Sequence, residues 1–82
     1  DGRTRLPGGM AVADAAAMLE TEWETTAATV GGMVVEELGH LPLPGETVGI
    51  GEFEFTVERV AERAVASVLA RRRASERGDR AE

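Results

Sequence analysis

Few residues in this 82-residue chain have the types and spacing to do chemistry. The first candidates are Thr29, Gly31 and Gly32, in the run Thr29-Val30-Gly31-Gly32 that opens a helical pattern. Free N–H groups and the dipole at a helix start welcome an anion, and a glycine pair lets a phosphate approach closely. These three residues therefore form the candidate cofactor-binding site, for a nucleotide or another anion. The same residues also fit a packing role, with Thr29 as N-cap and the glycines admitting a neighbouring backbone. The chain contains no Lys, and the Gly-x-x-x-x-Gly-Lys phosphate loop is absent, which favours packing.

Acidic residues come next. Glu36-Glu37 and the alternating row Glu52, Glu54 and Glu58 have the oxygen chemistry for Mg²⁺. Alternate acids on a strand equally describe its solvent face, and no metal site is assigned. His40 is the only His and there is no Cys, so no transition-metal cluster can be assembled from such residues. General acid–base or nucleophilic catalysis needs a positioned group with a partner that tunes it. His40 has no obvious orienting carboxylate in the sequence, so no catalytic residue is assigned and the chain is expected not to be an enzyme. Trp23, the single Trp, lies in a polar stretch, where it either caps the core or anchors a partner interface.

Charge narrows the partners. Nine Arg face fifteen acids, a net charge of −6. Up to residue 70 there are four Arg against twelve acids, and beyond it five Arg against three. An acidic body gives no electrostatic footprint for nucleic acid. Arg71-Arg72-Arg73 is a short run that reads as a solvated end. No apolar run approaches the roughly 20 residues that span a bilayer, and no signal peptide pattern is present. The chain opens on Asp1-Gly2 without Met, as an excised domain would.

The elements that must position these residues follow from periodicity. The chain is a single small domain that buries roughly 60–65% of its unfolded surface. Of its 35 hydrophobic residues 13 are Ala, so the core is thin and is expected to lean on a longer chain or a second copy. Residues 3–9 read as an extended segment ended by Pro7 and two Gly. Residues 10–20 favour a helix, with Val12, Ala15, Ala16, Leu19 and Trp23 in one stripe. Thr21 and Glu24 have capping-box spacing, which allows a short helical turn there. A second helix runs from Val30 to about Leu38, with Val30, Met33, Val34 and Leu38 on one face. Gly39 suits its left-handed end and Pro42 prevents continuation. Beyond "LPLPGE" the period becomes two. Val48, Ile50, Phe53, Phe55 and Val57 point inward along a hairpin that turns near Gly51. Residues 58–77 are ambiguous. Propensity favours one amphipathic helix, whereas a strand over "AVASVLA" needs a bulge or twist, because Val65 to Val68 breaks strict alternation.

One set of residues resembles the transporter-associated domain of the CorC/HlyC family. The set is Asp1-Gly2, Leu19, Thr29, Gly32, Leu38-Gly39, Pro42, Gly45-Glu46, Phe55 and Val57, with Arg63, Val65 and Val68 fitting a closing strand. The order is that of the family over about residues 1–71, and the block from Thr29 to Gly45-Glu46 is its most specific part. Trp23 with its acidic surroundings, and the Gly-poor "VAER", depart from the family pattern. The resemblance implies an α+β fold: a small antiparallel sheet with two helices packed on one face, in the order β-α-α-β-β-β. It implies a domain over residues 1–71 followed by a charged tail, residues 72–82. It also implies a non-catalytic regulatory or interaction role at the cytosolic end of a membrane ion transporter of the Mg/Co-efflux, hemolysin-like type. The expected partners are the CBS pair and membrane domain of the same chain, with a homodimer possible, no nucleic acid, no membrane insertion by this segment and no cofactor.

Overall fold

The computed structural model describes residues 2–73. The chain runs β1 (Arg3–Pro7), α1 (Val12–Leu19), α2 (Val30–Leu38), β2 (Thr47–Ile50), β3 (Phe53–Ala61) and β4 (Ala64–Arg72). The strands form one antiparallel sheet in the order β1-β4-β3-β2. This is the α+β order that the family resemblance implies. Strand β4 extends through Arg72; residues 74–82 of the expected tail lie outside the described residues.

Register explains which face is buried. Leu6, Val68 and Val57 share one cross-strand row, and Thr4, Ala70, Phe55 and Val48 share another. Leu6, Val57, Phe55, Val68 and Ala70 are buried together with Ala15 of α1 and Val30, Met33 and Val34 of α2. Because side chains alternate along a strand, the neighbouring rows carry Arg5, Leu69 and Thr56, and Arg3, Arg71 and Glu54, on the other face. The helices thus cover one face of the sheet, and the other is mostly polar and charged around a half-buried Leu69.

The ambiguous stretch is a strand, and it is irregular where the two valines demand it. Register shifts fall between Val57 and Arg59 and between Arg59 and Val60. Glu58 is extra on β3 and Ala66 is extra on β4, so Val65 and Val68 both turn inward. The Ala66 carbonyl accepts instead from the Gly8 N–H, at 2.8 Å. The β3–β4 turn uses Glu62 and Arg63, with φ of 54° and 64°. A turn with positive φ at both central residues matches the twist of the strands but is normally built from Asn and Gly.

Helix ends obey their signals. Thr29 Oγ1 accepts from the Gly32 N–H at 3.1 Å, and Gly39 ends α2 at φ 81° with its N–H on the Val35 carbonyl. Helix α1 starts two residues later than its composition suggests. Met10 N–H donates to the Pro7 carbonyl in a turn, and Ala11 bridges to Thr29. No helical turn forms at Thr21. Residues 21–28 cross as an irregular strap, because Trp23 is drawn onto Phe53 and Phe55.

Candidate functional site

The α2 start lies against the β3–β4 turn. Gly8, Gly31, Gly32, Thr29, Arg63 and Val65 line a cleft of about 410 Å³ there. Helix starts bind anions through unsatisfied N–H groups, and here those groups are engaged. Val30 N–H donates to the Met10 carbonyl at 2.9 Å and Gly31 N–H to the Gly8 carbonyl at 2.8 Å. Gly32 N–H goes to Thr29 Oγ1, and Met33 N–H to the Thr29 carbonyl at 2.9 Å. The sequence correctly brings Thr29, Gly31 and Gly32 together, but their donors bind this protein's own backbone and cap. Gly31 is buried at the junction: a methyl group there would sit 3.0 Å from the Gly8 oxygen and 3.2 Å from Val65 Cβ. The tightest glycine is Gly8, whose added Cβ would fall 1.8 Å from the Val65 carbonyl oxygen. Spacing alone drew attention to the later pair, because Gly8 belongs to a Pro-Gly-Gly stretch that reads as an ordinary turn.

On the outer face, acids and arginines are matched. The Arg5 guanidinium donates to both oxygens of Glu58, at 2.8 and 2.7 Å, and Ser67 Oγ adds a third bond at 2.9 Å. The Arg5 fork, with Ser67, holds the Glu58 carboxyl at about 2, well below its usual 4.5. Arg71 donates to Glu54 at 2.6 Å, and Arg72 pairs with Glu52. Each acid of the row Glu52, Glu54 and Glu58 therefore has an Arg counter-ion, while Glu36 accepts from Thr25 and Thr26. Among the described residues no group of three His, Cys, Asp or Glu side chains converges on a metal position.

The Arg run is exposed, as expected of a solvated end, and it also clamps other parts of the chain. Arg72 lies over the Phe53 ring, 4.6 Å from its centroid, and donates to the Leu19 carbonyl at 3.0 Å, at the end of α1. Arg73 donates to the Gly51 carbonyl at 2.7 Å, and its own N–H donates to the Glu52 carbonyl. The missing side chain of Gly49 makes room for the Arg73 guanidinium. Spacing could not show this, because the clamp joins residues 20 to 53 apart in the chain.

His40 does have a carboxylate partner. Its Nε2 lies 3.0 Å from Glu46 Oε1, while Glu46 Oε2 accepts the Leu43 N–H at 2.8 Å. The Leu43 N–H, with His40 second, holds the Glu46 carboxyl below its usual value. The pair ties the proline-containing loop to the end of α2; both side chains are substantially exposed. Trp23 is half-buried and meets Phe53 and Phe55 edge-on, at 5.9 and 5.6 Å between centroids. That is the core-capping position. Large apolar side chains left exposed are Met18, Leu41 and Leu43. No described helix is long and apolar enough to cross a membrane.

Comparison with known proteins places this geometry. Residues 1–74 match the family described as the transporter associated domain, CorC_HlyC. A crystal structure of an Mg²⁺ and Co²⁺ transporter (CorC)-associated region from Neisseria meningitidis MC58 is 38% identical, with a TM-score of 0.81 over 88% of this chain and 90% of that one. A transporter associated domain of a Xylella fastidiosa Temecula1 hemolysin, solved in complex with Mg²⁺ and Mn²⁺, is 19% identical, with a TM-score of 0.77 over 88% and 89% of the two chains. The corresponding domain of a CBS domain protein from Porphyromonas gingivalis is 22% identical, with a TM-score of 0.76 over 88% and 90%. No curated protein matches the chain.

Proposed function

Since the chain belongs to the CorC/HlyC transporter-associated domain family, we propose that it is a non-catalytic regulatory and interaction domain of a membrane ion transporter of the Mg²⁺/Co²⁺-efflux, hemolysin-like type. The observation that carries this reading is the family match across residues 1–74. Its partners are then the CBS pair and membrane domain of the same parent chain, on the cytoplasmic side of an inner or plasma membrane, with a second copy as a further partner. Exposed Met18, Leu41 and Leu43 provide the apolar surface such contacts use. The domain acts by binding one conformation of its parent more tightly than another, which shifts the transporter's equilibrium by that difference in affinity. Nucleic acid does not fit a chain of net charge −6 whose Arg5 and Arg71 are paired with Glu58 and Glu54.

The test is ion efflux by the parent protein with and without residues 1–74. Deletion is expected to alter the ion concentration at which transport responds while efflux itself persists. Unchanged concentration dependence refutes the regulatory role. A small-molecule sensor at Thr29, Gly31 and Gly32 is the alternative, and it is less favoured because the donors there are engaged. Calorimetry of the domain against ATP, AMP, FAD and Mg²⁺ separates the two: saturable heat with any of them moves the function to the sensor reading, and silence with all four retires it.

A further inference from the structure

The strap between the helices is held differently from the rest of the fold. Its ends are tied by backbone hydrogen bonds: Thr21 N–H to the Ala16 carbonyl at 2.9 Å, and Val12 N–H to the Ala28 carbonyl at 2.9 Å. Between them, residues 22–26 make no backbone–backbone hydrogen bond among the described residues. What holds the middle is side chains. Thr25 Oγ1 donates to Glu36 Oε1 at 2.6 Å and Thr26 Oγ1 to Glu36 Oε2 at 2.7 Å, both in exposed positions. The Trp23 ring rests on Phe53 and Phe55.

The closed position carries two local penalties. Trp23 Nε1 is buried without a hydrogen-bond partner, and a donor in that state has lost its water without replacement. Glu20, at the start of the strap, sits in the left-handed region at φ 58°, where a side chain is disfavoured. The packing that opposes movement is centred on Trp23, and open clefts flank the rest of the strap. A cleft of about 600 Å³ opens beside Glu20, Glu22, Gly51 and Glu52. Another of about 510 Å³ lies beside Val12, Ala16, Trp23 and Ala27.

We propose that residues 21–28 form a releasable strap that swings off its aromatic floor as a unit, hinged at Glu20 and Ala28, while the sheet and both helices stay folded. Opening returns the indole N–H to an acceptor and uncovers the edges of Phe53 and Phe55. Local openings of this kind occur well below the free energy of global unfolding where few bonds hold a segment. The inference is independent of the regulatory reading, since it concerns only this chain.

Native-state hydrogen exchange of the 82-residue chain tests it, using the Trp23 indole N–H as probe. The reference is the Val57 amide, which donates to the Glu46 carbonyl at 2.8 Å. The indole is expected to exchange at least roughly tenfold faster than the Val57 amide, with a weak dependence on denaturant, as sub-global opening requires. Glu36→Ala, which removes both threonine ties, is expected to speed indole exchange by roughly tenfold more, from two lost hydrogen bonds, and to move Val57 far less. Indole exchange that matches Val57 in rate and denaturant dependence overturns the strap, as does a Glu36→Ala variant that shifts both probes equally.

Discussion

Gly8→Ala is the substitution through which the structure is most exposed to refutation. An added Cβ would lie 1.8 Å from the Val65 carbonyl oxygen and 2.7 Å from its carbon. Those atoms are backbone in a buried strand, so no side-chain rotation relieves the clash. Overpacking of this kind costs about 1–3 kcal/mol. Separation of β1 from β4 also breaks the Gly8 N–H bond to Ala66 and the Gly31 N–H bond to Gly8, both 2.8 Å. At about 1 kcal/mol each, the total is about 3–5 kcal/mol. A domain of this length has a stability of roughly 4–12 kcal/mol, so the variant is expected to lose about a quarter of it or more. Gly9 provides the control: an added Cβ there meets nothing within 4 Å, so Gly9→Ala is expected to stay within about 0.5 kcal/mol of the parent. Urea titration followed by Trp23 fluorescence and far-UV circular dichroism measures both. Equal midpoints for the two variants would refute the junction between β1, α2 and β4.

Four further outcomes follow from the same geometry. The Glu58 carboxyl is held at about 2 against an ordinary 4.5, so its contribution is complete above the ordinary value and disappears as pH falls toward about 2; a Glu58→Gln variant is expected to lose less stability than the parent across that window in acid titration. Arg72→Ala removes the bond to Leu19, the pairing with Glu52 and the Phe53 stack, and is expected to lower stability by about 1–2 kcal/mol, a larger loss than Arg71→Ala, which removes the exposed pair with Glu54. Arg63→Gly relieves a left-handed φ of 64° at the β3–β4 turn and is expected to stabilise by about 0.5–1 kcal/mol, seen as a raised urea midpoint. His40→Ala removes one tie of the proline-containing loop while the Glu46 bond to Leu43 remains; the exposed pair contributes little, and thermal melting is expected to shift by no more than about 8 °C.

The parts of the fold legible in the sequence were those governed by local rules. Thr29 and Gly39 bound α2 because capping is a property of a few adjacent residues. The alternation from Phe53 to Val57 marks a strand because period two is a property of one segment. The candidate site was legible only as a location. Thr29, Gly31 and Gly32 do meet at a cleft, but whether a helix start is free for an anion depends on what reaches it from elsewhere. Here the carbonyls of Gly8 and Met10 reach it, and nothing near residue 30 announces them. The Arg71–Arg73 clamp and the His40–Glu46 tie escaped for the same reason, since their partners are placed by turns and by strand pairing.

The strand that local pattern left undecided shows how these failures connect. Val65 and Val68 are three apart, a helical spacing, and the sheet admits both only by inserting an extra residue at Ala66 and another at Glu58. That insertion turns the Ala66 carbonyl away from β3, and Gly8 takes it up. Gly8 can do so only because it has no side chain to strike Val65, and the same close approach brings its own carbonyl to the Gly31 N–H at the start of α2. The extra residue at Glu58 likewise sets that carboxylate between Arg5 and Ser67 on the outer face. One irregularity in β4 thus makes the closing segment look helical, makes Gly8 indispensable and occupies the α2 donor that would have served an anion. A variant that restores strict alternation by deleting Ala66 is expected to lose the Gly8 bond and with it the seat of α2. Amide exchange at Gly31 reads this directly, and retention of its protection in the deletion variant would break the chain of causes at its first link.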